Sequence, residues 1–154
     1  MIIYIGADHR GFALKDVLKK YLKENGYEVI DLGNESFVQD DDYPDFAMKV
    51  AEKVSADPQG SKGILICGSG VGVDIVANKF PRVRSALVLS PDHAYLSRND
   101  DDTNIICLGS ELIDETQAKT TLAAWLQTPY SEDVRHSRRI AKIRDAEDMA
   151  KKLW

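Results

Sequence analysis

The sequence predicts an α/β protein built on a five-stranded, doubly wound parallel sheet. Three observations predict it. Short apolar runs of strand length alternate five times with stretches of helical period, the pattern of a parallel sheet covered by helices on both faces. The run Gly63 to Cys67 is apolar without alternation, as expected of a strand buried on both sides. Glycine-rich turns follow the runs at Gly6 and Cys67, and such folds hold their ligands beyond the carboxyl ends of the strands.

The elements follow in order. Ile2-Ile3-Tyr4-Ile5 is a strand closed by Gly6. Residues 12–25 form a helix, with Leu14, Val17, Leu18, Tyr21 and Leu22 on one face. Asn25-Gly26 stops it, because glycine tolerates the left-handed cap. Glu28 to Leu32 is the second strand, and the polar residues 33–42 form a loop with an acidic run at Asp40-Asp41-Asp42. Tyr43, Phe46, Ala47, Val50, Ala51 and Val54 return to helical spacing. Gly63 to Cys67 is the third strand, and the glycine-rich turn after it leads into a helix over 72–80. Ser85 to Leu89 is the fourth strand. Pro91 to Arg98 is a short helix, with Pro91 suited to the first turn. Ser97 to Asn104 reads as an acidic loop, and Asn104 to Leu108 as the fifth strand. Ala118, Leu122, Trp125 and Leu126 mark another helix. Ser131 to Trp154 is a long C-terminal helix with Ser131 as N-cap and Glu132 and Asp133 at its positive end. Ligand-facing strand ends are expected at Gly6–Gly11, Cys67–Gly72 and Ser90–Asn104.

Composition narrows the function classes. The 154 residues fit one domain spanning 1–154. Hydrophobic residues make up 44%, too many for a disordered chain. A net charge of −5 argues against general nucleic-acid binding but leaves room for a local basic patch. Cys67 and Cys107 lie far apart and suggest neither a disulfide framework nor a metal cluster; both read as reduced thiols of a cytoplasmic protein. The apolar runs fall far short of the roughly 20 residues that span a bilayer. The N-terminus reads as a strand entered at once, with no basic leader or signal core.

The strongest motif is Cys67-Gly68-Ser69-Gly70-Val71-Gly72, between a buried strand and a helix. Its glycines allow a tight turn whose N–H groups, with the following helix start, stabilise negative charge. The same field favours a thiolate at Cys67, and Ser69 adds a hydroxyl. The plainer alternative is a buried cysteine followed by a tight turn. The loop fails the dinucleotide fingerprint, which wants a third glycine or alanine where Val73 stands, although Asp92 lies about 20 residues on. It also lacks the lysine of a P-loop and the closing arginine of a cysteine phosphatase.

Asp8 and His9, in Gly6-Ala7-Asp8-His9-Arg10-Gly11, suit sugar hydroxyls or a phosphate; equally, Asp8 can cap the next helix while His9 sits exposed. Arg135, Arg138, Arg139 and Lys142 form a basic stripe at helical spacing beside His136. Arginine forks suit phosphate, and the alternative is a solvated helix face. In Ser97 to Asn104, one of the acids Asp100, Asp101 and Asp102 is a candidate for proton transfer.

Together these segments resemble the type B ribose-5-phosphate isomerases and the related galactose-6-phosphate isomerase subunits. The resemblance spans Ile5-Gly6-Ala7-Asp8-His9-Arg10-Gly11-Phe12, Asp42-Tyr43-Pro44, Ile66 to Gly72, Ala77-Asn78-Lys79, Leu96-Ser97-Arg98, Asp102-Thr103-Asn104, Leu108-Gly109-Ser110 and the Arg135-His136 helix. It implies a Rossmann-like three-layer α/β/α sandwich, a homodimer or dimer of dimers with active sites shared between subunits, and no metal or organic cofactor. It implies interconversion of ribose 5-phosphate and ribulose 5-phosphate through a cis-enediolate. Alternatives are another aldose phosphate, such as allose or galactose 6-phosphate, or a sugar-phosphate-binding module without catalysis. By resemblance Cys67 is the base, Ser69 assists proton movement, and Gly68, Gly70 and Gly72 line the oxyanion cradle. Asp8 and Tyr43 contact substrate, and His9, Arg135 and Arg139 contact phosphate.

Two positions depart from the family pattern. Its ring-opening histidine is Asp100 here, and the following asparagine is Asp101, which the resemblance implies as a substrate-binding position. A carboxylate accepts a hydroxyl proton but is a poorer acid near neutrality. Either Asp100 takes the ring-opening role or His93 on the preceding helix does. Glu111 stands where many relatives carry a phosphate-contacting arginine, so it would repel phosphate unless turned away.

Overall fold

The computed structural model describes residues 1–153, in the order β1 (Ile2–Ala7), α1 (Phe12–Glu24), β2 (Glu28–Asp31), α2 (Tyr43–Ala56), β3 (Ser61–Cys67), α3 (Val71–Ala77), β4 (Ser85–Leu87), α4 (Pro91–Asp101), β5 (Ile105–Gly109), α5 (Glu115–Gln127) and α6 (Val134–Lys151). All strand pairs are parallel, in the order β2-β1-β3-β5-β4. The expected α/β sandwich is present, with β3 at its centre.

Period-two alternation divides the core. Ile64, Ile66, Ile106 and Leu108 turn to one face, where they pack with Leu14 and Leu18 of α1, Ala94 of α4 and Trp125 of α5. Leu65, Cys67, Ile105 and Cys107 turn to the other, against Val50 and Val54 of α2 and Val73 and Ala77 of α3. Burying a Leu or Ile side chain is worth about 1.5–3 kcal/mol, so each strand of the pair β3–β5 is pinned from both sides. The Nζ of Lys62, at the start of β3, lies 5.1 Å from the centre of the Trp125 ring.

Several boundaries differ from the sequence reading. α3 ends at Ala77 rather than at residue 80, and β4 stops at Leu87. α4 continues through Asp101, so the expected Ser97–Asn104 loop is mostly its last turns. Arg98 explains the extension. It is buried, and its Nη1 donates to Asp102 Oδ1 and to the Thr103 carbonyl, both at 2.7 Å. Asp102 then closes the helix with φ +46°. Because α4 runs back along the sheet, these acids lie near the start of β5 at the amino edge, not at a carboxyl end. The third carboxyl end is instead Gly109 and the residues after it. α6 begins at Val134, capped by Asp133 Oδ1 accepting from Arg135 N at 2.9 Å, so Ser131 is not its N-cap. The expected helix end at Trp154 lies outside the described residues.

Candidate active site

The chain leaves β1 for β2 on one side, then crosses to β3 on the other. That reversal opens a crevice between the carboxyl ends of β1 and β3, the position where open α/β sheets bind ligands. Three loops meet there: Asp8–Gly11 after β1, Gly68–Gly70 after β3, and Ser110–Leu112 after β5.

Cys67 ends β3 with its side chain on the α2/α3 face and retains 5% exposure. The main-chain N–H of Gly70 turns inward and donates to its Sγ at 3.1 Å, rather than pointing out to a ligand as expected. That N–H is thereby committed to the sulfur, the one side-chain acceptor it reaches among the described residues. Gly70 holds φ +78°, and a Cβ on it would stand 2.5 Å from Leu87 Cδ1, so only glycine makes this turn without strain. Ser69 is exposed, and its Oγ accepts from Val71 N at 3.3 Å. Tyr43 leans on the far end of the loop: a Cβ on Gly72 would lie 2.7 Å from its ring carbons.

The β1 loop forms the opposite wall. Asp8 is buried, donates its N–H to the Ile66 carbonyl at 3.4 Å, and accepts from Gly11 N at 3.0 Å through Oδ1. It therefore closes the turn as well as standing in the crevice. His9 is held twice by Asp41: its N–H donates to Oδ1 at 2.7 Å, and its ring Nδ1 lies 2.9 Å from the same oxygen. Asn34 donates to Asp41 Oδ2 at 2.9 Å, and the Phe37 ring stands edge-on to His9. The hydrogen bond to Asp41 raises the His9 pKa above 6.5 against an opposing desolvation, and the Asp8 charge adds to the rise. With Nδ1 engaged, Nε2 is the ring nitrogen left for a ligand.

The β5 loop is stitched to both. Ser110 Oγ donates to the Arg10 carbonyl at 2.8 Å, and Ser110 N to the Cys67 carbonyl at 2.9 Å. Glu111 is turned onto Arg10, whose Nε donates to Oε1 at 2.6 Å. Sequence reasoning missed Arg10, Asp41 and Ser110 as parts of this site. Arg10 had the clearest signal, lying in the same turn as Asp8 and His9.

Behind Cys67 lies a second sulfur. Cys107 is fully buried, 3.2 Å from Ser85 Oγ, which donates to Asp74 Oδ1 at 2.7 Å. Burial, then the nearby Asp74 charge, pushes the Cys107 thiol well up.

The remaining expected site residues are elsewhere in this chain. Asp100 and Asp101 line a cleft of about 460 Å³ together with His93, Ser85 and Asn78. Asp100 Oδ1 lies 3.5 Å from Nδ1 of the buried His136 and accepts from Asn99 at 2.7 Å. Arg135, Arg138, Arg139 and Lys142 are exposed on α6, which packs on α4. Arg135 N and Nε both contact Asp133. The structure thus gathers Asp8, His9, Tyr43, Cys67 and Gly68–Gly72 in one crevice and leaves Asp100, Asp101, Arg135 and Arg139 outside it. Among the described residues, no group of three or more His, Cys, Asp or Glu is placed to hold a metal ion, and no helix is long and apolar enough to cross a membrane.

A family model described as Ribose/Galactose Isomerase matches residues 3–143. The chain is 43% identical over 141 residues to a probable ribose-5-phosphate isomerase B of Mycoplasma genitalium, covering 92% of each chain. It is also 43% identical to the ribose-5-phosphate isomerase B of Escherichia coli, covering 92% of this chain and 93% of that one. The solved structure of the Mycoplasma genitalium protein with bound ribulose 5-phosphate superposes with a TM-score of 0.93 at 41% identity, over 96% of both chains. The Clostridium thermocellum ribose-5-phosphate isomerase B gives 0.92 at 39% identity, over 97% of this chain and 99% of that one.

Proposed function

This chain belongs to the ribose/galactose isomerase family and is an aldose–ketose isomerase, and from that premise we propose that it interconverts ribose 5-phosphate and ribulose 5-phosphate with Cys67 as the base. The observation that carries the residue assignment is the Gly70 amide on the Cys67 sulfur, at the crevice that also holds Asp8, His9 and Tyr43. A thiolate at Cys67 takes the proton from C2 of the open-chain aldose. The electron pair moves through C1 to the carbonyl oxygen, giving a cis-enediolate. Donors fixed around that oxygen lower the barrier because they need no reorganisation as charge develops. Ser69 carries a proton between the two oxygens, and the thiol returns its proton to C1, leaving the ketone at C2. Asp8 and Tyr43 hold the sugar hydroxyls, and His9 holds the phosphate.

The working unit in this reading is a homodimer, or a dimer of dimers. Arg135 and Arg139 are exposed in one chain, on a basic face of α6. A second copy places them over the first copy's crevice, where their forks close on the phosphate. Asp100 or His93 of that second copy opens the furanose ring. Apolar side chains left exposed support this: Val71 and Ile75 on α3, which follows the glycine loop, are 46% and 54% exposed, and Leu96 on α4, in the cleft with Asp100 and Asp101, is 51% exposed.

The test is a steady-state assay on ribose 5-phosphate, allose 6-phosphate and galactose 6-phosphate. Preferred turnover of ribose 5-phosphate is expected. Preference for a hexose phosphate overturns the substrate, and binding without turnover of any of the three overturns the catalytic assignment.

A further inference from the structure

The two charged residues at the lip of the cradle, Arg10 and Glu111, have no place in the chemistry above. They come from loops 101 positions apart and meet over Gly68. Both are about half exposed, at 53% and 52%. The Arg10 Nε and Nη2 both engage Glu111 Oε1. The guanidinium plane lies against Gly68: a Cβ there would be 2.7 Å from Nε, 2.8 Å from Cζ and 3.0 Å from Nη1. The Glu111 N–H is itself fixed to the Gly68 carbonyl at 3.0 Å. The Nη1 amino group has no acceptor among the described residues, so a planar fork with a free edge lies over Gly68 at the mouth of the crevice, on the residue that follows His9.

We infer that Arg10 is a phosphate-contacting residue of this isomerase, and that Glu111 sets how strongly it binds by competing for its charge. The inference rests on the sugar-phosphate reading of the site. Its physics is simple. A phosphate dianion arriving beside His9 meets a cation with unused donors and a carboxylate that repels it. Pairing with Arg10 keeps that carboxylate turned from the anion and holds the guanidinium against Gly68, at the cost of part of its field. Removing the cation and removing the anion must then change phosphate affinity in opposite directions.

A purely structural strap between the β1 and β5 loops makes the contrary prediction. Cutting it from either side would loosen the cradle alike, and both variants would lose turnover together. The experiment is therefore Arg10→Met beside Glu111→Gln, with kcat and KM for ribose 5-phosphate and the binding of inorganic phosphate by calorimetry. Arg10→Met is expected to raise KM and the phosphate Kd about tenfold, the loss of one charged hydrogen-bonding partner, with kcat changed less than KM. Glu111→Gln is expected to lower both KM and the phosphate Kd. Arg10→Lys keeps the charge without the fork and should fall between wild type and Arg10→Met. Shifts of the same sign in Arg10→Met and Glu111→Gln, or a phosphate Kd untouched in both, overturn the inference. If Arg10→Met does not fold, Arg10→Lys and Glu111→Gln still decide the sign. The calorimetry needs no turnover, so a wild-type chain that isomerises nothing defeats the catalytic reading while the phosphate arm still reports on Arg10.

Discussion

The main-chain N–H of Gly70 points back along its own loop and meets the sulfur of Cys67 at 3.1 Å. The backbone that shapes the cradle is therefore also the group that attends the proposed base. Replacing Cys67 with Ala removes the proposed proton acceptor without adding volume to a packed face. Turnover is expected to fall on the order of 10³-fold, the scale of a lost general base. Circular dichroism should remain that of the parent fold, with Tm lowered by a few degrees because the Gly70 N–H loses its partner. Turnover within a few fold of wild type would exclude Cys67 as the base.

Asp41 makes the charge of His9 pH-dependent in a stated direction. The histidine pKa is raised, first by the hydrogen bond to Asp41, so the cation persists to higher pH than for a free imidazole. The contact contributes fully below about pH 6.5, the unfolded value, and fades as pH rises through the raised folded value. KM for the sugar phosphate should climb over that window. Asp41→Asn should move the climb to lower pH while leaving kcat at low pH largely intact. An unchanged KM profile in Asp41→Asn would detach Asp41 from phosphate binding.

Lys62 works against the fold at neutral pH. Burial, followed by the charges of Arg98 and Arg84, lowers its pKa from 10.5 to about 8. The unfolded chain then binds more protons between those values, so this residue makes stability rise with pH from about 8 to about 10.5. Lys62→Met keeps the packing on Trp125 and drops the buried charge. Its Tm at pH 7 should exceed that of wild type, by roughly 2–4 °C per kcal/mol recovered, and the gap should close near the upper end of the window. A lower Tm at pH 7 would mean that the cation–ring contact outweighs desolvation.

Shared sites predict complementation between dead subunits. Cys67→Ala lacks the proposed base, and Arg139→Ala lacks the proposed phosphate fork. If the arginine serves the neighbouring copy, a mixed dimer contains one crevice with both groups intact, and mixing the two inactive proteins under exchange should restore turnover. If each crevice uses its own chain's arginine, no crevice in the mixture is whole and activity stays absent.

Much of the fold was legible because its signals are local. The unbroken apolar run at Ile64–Cys67 announced a central strand, and Asn25-Gly26 announced a helix end that the structure confirms with φ +82° at Gly26. The end of α4 was not legible. Three adjacent acids look like solvent-facing loop, and only the burial of Arg98, which neutralises Asp102 from within, keeps the chain helical through Asp101. The cap of α6 moved from Ser131 to Asp133 because both can accept a main-chain N–H, and pattern does not rank them. In the crevice, Cys67 and the glycines could be read from one segment. The meeting of Arg10 with Glu111, and of His9 with Asp41 across 32 positions, depends on which loops the sheet order brings together, and no local pattern carries that.

The contrast between the two sulfurs has a practical side. Cys107 is enclosed by Ser85 and Asp74 with its thiol held protonated, so an alkylating reagent has little reason to find it while the chain is folded. Reagent uptake by native protein is then a stoichiometric count of unoccupied crevices, and a sugar phosphate resting over Cys67 should register as protection. Denaturation would release the silent equivalent, giving each labelling experiment its own internal standard.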